Sequence, residues 1–213
     1  MMRLIYALLL LLHPMVQVGV TKVVDGDTID TTAGKVRILG INAPERGERC
    51  YGESREFLKS LLGNSVKLER DFVGKDKYGR LLRYVHTNVS IPLEMVRKGY
   101  AKAYCIFPNY KYRSELEEAQ ALAMNEGRGC LWKQSNNSCL RISEVSRDGE
   151  WVRIVNRCSR ETSLEGVYVE SDGRQKEQFH GELCPGCEDW KSLRIGRFVM
   201  LSDGQGFIDF RGA

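Results

Sequence analysis

The stretch VVDGDTID, residues 23–30, decides how the first half of the chain is read. An apolar run enters an Asp-Gly pair and a second β-branched run leaves it. Asp-Gly between such runs is the strongest short-range hairpin signal, because both residues tolerate positive φ. Asp25 and Gly26 are thereby explained as a turn. Asp27 is not explained, since it falls where the returning strand should begin and strands disfavour Asp. A carboxylate there either bonds turn amides or has a chemical task.

Working outward, apolar and alternating runs over 18–24, 27–32 and 35–41 predict a three-stranded meander turned at Asp25-Gly26 and Ala33-Gly34. YGESREFLKSLLGN places Phe57, Leu58, Leu61 and Leu62 at helical spacing, with Gly63 and Asn64 as the stop. SVKLERDF and RLLRYVHT read as strands, and YAKAYC as a short extended piece. SIPLEMVRKG reads as a helix begun by Ser90, with Pro92 in its first turn and Gly99 at its close. SELEEAQALAMNEG sets Ser114 and Glu117 in capping-box register and ends at Gly127. Three strands, a helix, two strands, a helix, an extended piece and a helix fit a small closed barrel of the oligonucleotide-binding kind.

WKQSNNSC, 132–139, breaks the pattern as a linker. Beyond it, short runs such as LRISEV, EWVRIVN, GVYVES, KEQFHG, RFVMLS and GFIDF alternate with Gly, Asp and Ser turns and predict a small β-sandwich. The expected divisions are 1–17, 18–135 and 139–213. Residues 18–135 carry 20 Lys and Arg against 15 Asp and Glu, whereas 136–213 carry 11 against 13. The first part is mildly basic, which permits a polyanionic partner without requiring one.

MMRLIYALLLLLHPMVQVG opens with one Arg and an unbroken apolar run from Leu4 to Leu12. That layout predicts a signal peptide or membrane anchor over 1–17, hence a secreted or membrane-anchored extracellular protein. A cytoplasmic protein is the alternative if Met15 is the true start. Seven cysteines agree with export. Cys139, Cys158, Cys184 and Cys187 can form two disulfides or one zinc site, although CPGC has no partner CxxC. The odd total leaves at least one cysteine outside any pair within the chain.

Four polar positions stand apart in the first domain: Asp27, Arg37 inside the apolar VRILGI, Glu45 after Asn42 in INAPERG, and Arg80 at the start of a strand. Each has an ordinary reading as a turn, surface or ion-pairing residue. Together they offer something else. A carboxylate and loop oxygens are hard ligands of the kind Ca2+ takes. A loop Glu can orient or deprotonate a water. Two guanidiniums suit planar, bidentate recognition of phosphate and stabilise the charge that grows on it in the transition state.

In that order, VVDGDTI, VRILGINAPE and DKYGRLLRYV closely resemble the staphylococcal nuclease-like (thermonuclease) family, over about residues 18–133 and including the closing GRGCLW. The resemblance implies an oligonucleotide-binding barrel with Ca2+-dependent cleavage of DNA or RNA. Carried over by motif, Asp27, Asn42 and Ala43 would hold the metal, the last through its carbonyl. Arg37 and Arg80 would hold the scissile phosphate and Glu45 would act on the attacking water. Lys77 and Tyr78 would contact a neighbouring phosphate, and Tyr104 would stack under a base. The loop often reads DTPE in such enzymes and here reads NAPE, so Asn42 supplies an amide oxygen where a carboxylate is usual. Weaker metal binding is expected, and a catalytically weakened nucleic-acid-binding protein on the same barrel is the alternative function. In the second half, ISEV, EWVRIVN, SLEGVYVESDG and RFVMLSDGQG resemble the lamin-tail domain, an immunoglobulin-like sandwich. The matching residues, Trp151, Asn156, Leu164 and Gly166 among them, imply a fold with no catalysis and only a binding or tethering role toward nucleic acid, an envelope or a protein partner, a passive stabilising module being the alternative. A monomer is expected.

Overall fold

The computed structural model describes residues 15–171, 175–195, 198–203 and 205–212. Most of the expected signal peptide or anchor therefore lies outside the described residues. Among the described residues no helix is long and apolar enough to cross a membrane. Two compact units divide between Cys130 and Leu131.

The first unit runs β1 (Val16–Val23), β2 (Thr28–Thr31), β3 (Gly34–Ile38), β4 (Gly40–Asn42), α1 (Tyr51–Leu61), β5 (Ser65–Glu69), β6 (Leu81–His86), α2 (Ile91–Arg97), β7 (Lys102–Tyr104) and α3 (Arg113–Asn125). β1, β2, β3, β6 and β5 close a barrel in that order. Every seam is antiparallel except the parallel β3–β6 pair, which sets Arg37 opposite Leu82. This is the expected oligonucleotide-binding barrel. Successive strand residues face opposite sides, so Val36 and Ile38 enter the core and Arg37 between them takes the outer face. Leu58 of α1, Met95 of α2 and Leu116 of α3 join the same core.

The opening stretch turns for a different reason from the one its sequence suggests. Neither Asp25 nor Gly26 adopts positive φ. The bend is held by Val24 N–H and Asp25 N–H on the Thr28 carbonyl and by Asp27 N–H on Asp25 Oδ1 at 3.1 Å. Gly26 is required by crowding, since a Cβ there would lie 2.1 Å from Ser54 Oγ and 2.6 Å from Ala43 Cβ. β2 starts at Thr28, which leaves Asp27 in the bend with its carbonyl accepting Ile38 N–H at 2.8 Å.

The third expected strand breaks in two at Gly40, whose φ is 84°. A side chain there would meet Leu116 Cδ1 at 2.5 Å. The kink takes β4 off the barrel to pair with β7. α3 lacks the expected capping box: it begins at Arg113, after Tyr112, and Glu117 bonds Arg113 Nε at 2.7 Å. Tyr112 OH is anchored on Glu69 at 2.8 Å, so a tertiary contact sets the helix start.

The second unit contains β8 (Leu140–Ser146), β9 (Trp151–Asn156), β10 (Thr162–Ser163), β11 (Tyr168–Ser171), β12 (Gln175–Gln178), β13 (Glu182–Leu183), β14 (Glu188–Ser192), β15 (Phe198–Ser202) and β16 (Phe207–Gly212). They form a three-stranded sheet β14-β9-β8, a four-stranded sheet β12-β11-β15-β16 and a small β10-β13 pair. Ile142 and Ile154 from the first sheet and Val169 and Leu201 from the second share one apolar core. Residues 131–135, expected to close the first domain and open the linker, pack with this unit instead. Trp132 meets Phe207 edge-on, and Ser135 N–H donates to the Phe207 carbonyl at 2.7 Å. Cysteines pair as Cys50–Cys130, Cys139–Cys158 and Cys184–Cys187. Both pairs in the second unit are disulfides, so CPGC is not half of a zinc site. Cys105 is a buried thiol outside any disulfide.

Candidate active site

The bend after β1, the outer face of β3 and the end of β4 meet at Asp27. Its Oδ2 accepts Ala43 N–H at 2.8 Å and pairs with Arg37 Nη2 at 2.9 Å, while Oδ1 accepts the Thr28 hydroxyl at 3.1 Å. Asp27 as a whole is 5% exposed. Burial pushes its carboxyl up to about 6, against the pull of Arg37 and of the Ala43 amide. Arg37 is fixed further: Nη1 donates to the carbonyls of Ile38 and Ile41 at 2.8 and 2.9 Å, and Nη2 to Asn42 Oδ1 at 3.1 Å. Its Nε–H has no protein acceptor among the described residues. Arg37 thus faces a ligand with a locked charge and one donor, not the open fork its sequence context suggested.

Arg80 is built differently. Asp76 Oδ2 accepts Arg80 Nε–H at 2.6 Å, and Asp76 Oδ1 accepts the N–H groups of Tyr78 and Arg80, both at 2.9 Å. Gly79, at φ 81°, lets the turn close. Both Nη groups of Arg80 remain without protein acceptors among the described residues, so this is the guanidinium able to grip a phosphate with two donors. Tyr78 is exposed, with Lys77 Nζ 5.0 Å and Arg80 Cζ 5.6 Å from its ring centre. The β3–β6 register sets Leu82 beside Arg37, and Arg80 lies two residues earlier on the same strand line.

Glu45 lies two residues past Ala43 in an exposed turn, tied by Glu45 N–H to Glu48 Oε2 and Glu48 N–H to the Glu45 carbonyl, both at 2.9 Å. Tyr104 pairs with Gly40, and Lys102 with Asn42, across β4–β7. Alternation places Tyr104, Lys102 and Asn42 on one face of that ribbon.

The family model described as staphylococcal nuclease homologue matches residues 35–134. Over 116 residues the chain is 38% identical to the thermonuclease of Staphylococcus hyicus, covering 49% of this chain and 69% of that protein. Over 119 residues it is 37% identical to the thermonuclease of Staphylococcus intermedius, covering 50% and 71%. The chain belongs to the staphylococcal nuclease family. It is 36% identical over 135 residues to the SPbeta prophage-derived endonuclease YokF of Bacillus subtilis (strain 168), covering 57% of this chain and 45% of that protein. Membership makes the chain a hydrolytic nuclease.

Within this nuclease the donor set fits a hard cation by chemistry: the Asp27 carboxylate and the Asn42 amide oxygen share the Nη2 group of Arg37. The set is poor in charge. Among the described residues no three His, Cys, Asp or Glu gather as a metal cluster. Ala43 reaches Asp27 with its N–H, which helps fix the carboxylate. Two contributors escaped the sequence reading. Asp76 orients Arg80 from within the quoted DKYGR, where an Asp three residues before a Gly was a usable turn signal. Lys102 shares the face of Asn42 only through strand pairing, which no local pattern announces.

Proposed function

We propose that the chain is a Ca2+-dependent nuclease hydrolysing phosphodiester bonds of DNA, RNA or both, secreted or anchored at the cell envelope. The observation that carries the reading is the Asp27–Arg37–Asn42 network, in which one guanidinium nitrogen binds the two oxygen donors best suited to a cation. A Ca2+ ion held by Asp27, Asn42 and the Ala43 carbonyl would supply Lewis acidity at a phosphate oxygen. The protein's own groups do the rest. Arg80 grips the phosphate with its two Nη groups and Arg37 adds fixed positive charge. Glu45 orients a water and takes its proton as the water oxygen bonds to phosphorus and an ester P–O bond breaks. Lys77 and Tyr78 hold the adjacent phosphate, and Tyr104 stacks a base. Pairing of six cysteines supports an oxidising destination. The second unit is read as a lamin-tail-like sandwich that tethers the monomeric enzyme to an envelope or protein partner.

Cleavage of single- and double-stranded DNA and of RNA across a Ca2+ titration, with chelated samples and Glu45→Gln alongside, tests the proposal. Cutting that vanishes on chelation and collapses in the variant supports it. Binding without cutting at any Ca2+ concentration would establish the second reading, a weakened nuclease that binds nucleic acid, which the amide at Asn42 favours.

A further inference from the structure

The first unit carries an apolar surface that none of the catalytic roles uses. Phe72 and Phe107 are each 77% exposed, with Ile106 and Tyr110 also on the surface. They come from two loops, the β5–β6 loop and the segment between β7 and α3, and buried Asn109 ties these together. Asn109 Oδ1 accepts Val73 N–H at 2.9 Å and its Nδ2 donates to the Val73 carbonyl at 3.2 Å. Lys111 N–H donates to Asp71 Oδ2 at 3.3 Å. Phe72 stands between those two ties, so it is held next to the loop that bears Phe107 and Tyr110, whose rings meet at 6.0 Å. Arg113 lies 4.9 Å over the Tyr110 ring.

We infer that this aromatic shelf binds the unpaired bases of a single nucleic-acid strand running away from the cleavage site. Two features select that occupant over a lipid surface or an apolar protein face. The first is continuity. The loop bearing Phe72 runs straight on to Lys77, Tyr78 and Arg80, and the loop bearing Phe107 leaves directly from Tyr104. The second is charge. A Cβ on Gly74 would lie 2.9 Å from Arg70 Nε, and Arg83 Nη1 donates to the Gly74 carbonyl at 2.8 Å, so two guanidiniums crowd one residue. Neither has a carboxylate partner among the described residues. Burial and the Arg70 charge together push the Arg83 pKa down. The nearby acids are already engaged, Asp71 by Tyr84, Phe72 and Lys111, and Asp76 by Arg80 and Tyr78. Rings interleaved with uncompensated cations are what a strand needs, the rings for base faces and the cations for phosphates.

The choice of ligand rests on the nuclease reading, so the test avoids catalysis. Binding of a labelled oligothymidylate of about 15 nucleotides to the full chain is followed by fluorescence anisotropy in chelator. An abasic strand of the same length and vesicles of phosphatidylglycerol run beside it. Phe72→Ser/Phe107→Ser should raise the oligothymidylate Kd at least about tenfold, and the parent should bind the abasic strand weaker by a similar factor. Leu122→Ser, which removes an exposed apolar side chain from α3, should shift the Kd less than about twofold. Thermal melts confirm that the variants fold. Equal affinity of parent and double variant, or of thymidylate and abasic strands, overturns the inference. So does loss of vesicle binding alone, which would assign the shelf to lipid. Oligothymidylate binding that the double variant loses supports the shelf even if Ca2+ brings no cleavage, and in that case it is the Ca2+-dependent reading that fails.

Discussion

Arg37 and Asp27 are paired at 2.9 Å with side chains only 16% and 7% exposed. In so enclosed a place neither charge is comfortable alone, and burial has already pushed the Asp27 carboxyl up to about 6. Arg37→Ala should lower kcat by about two to three orders of magnitude. It should also cost stability, on the order of 3 kcal/mol, because a buried carboxylate loses its cation. Single-turnover cleavage and urea denaturation read the two effects separately. An activity loss below about tenfold would leave Arg37 with a structural role only.

Asn42 Oδ1 accepts from Arg37 Nη2 in the same network, and in the proposed function it is a Ca2+ ligand. Replacing it by Asp adds one formal charge beside Asp27, without changing the side chain's shape. Asn42→Asp should lower the half-saturating Ca2+ concentration on the order of tenfold, measured by cleavage and by calorimetry. An unchanged Ca2+ requirement would remove Asn42 from the metal's surroundings.

Asp76 touches no substrate in the proposed mechanism, yet it fixes Arg80 through Nε and through the backbone. Asp76→Ala should reduce kcat/KM by about tenfold to a hundredfold by letting that guanidinium wander. Asp76→Asn, which keeps the turn acceptor, should recover part of the loss. Equal losses in the two variants would show that the backbone turn alone matters.

Glu69 supplies one part of the pH dependence of stability. Burial pushes its carboxyl up, but hydrogen bonds from Lys111, Tyr112 and His86 outweigh it and hold the folded pKa below the ordinary value. A depressed folded pKa means stabilisation that is present above the unfolded pKa and lost as pH falls through the folded one. Melting temperature should therefore carry a falling contribution from Glu69 across the acid range in the parent, opposed by Asp27, whose raised pKa makes its protonation favour the folded state. It should fall less steeply in Glu69→Gln, which starts lower at neutral pH. Parallel curves would show that the carboxyl does not govern acid unfolding.

What the sequence disclosed was local. Period-two and helical patterns located the barrel strands and the three helices among the described residues, since one face of each is buried and patterned to match. The bend at Asp25-Gly26 was found but not its cause, because the side chains that crowd Gly26 come from Ala43 and Ser54. Strand β14 escaped altogether: EDWKS at a sheet edge is exposed at alternate positions and has no apolar face to read. At the candidate site, motif order gathered Asp27, Arg37, Asn42 and Ala43, and the structure joins those four directly. How many donors each arginine keeps for a ligand was not legible. Arg37 spends four N–H groups on acceptors supplied by Asp27, Asn42 and two β-strand carbonyls, and only the folded register reveals that.

The bridge between Cys50 and Cys130 spans 80 positions of sequence and encloses α1, β5, β6, α2, β7 and α3. Topologically, most of the catalytic unit is a covalent ring. A protease that nicks the exposed loop at Phe72 or at Phe107 therefore releases nothing: the two ends stay fastened, and the fragments remain at a high effective concentration for one another. Surroundings rich in digestive enzymes would blunt such a nuclease only after a second cut.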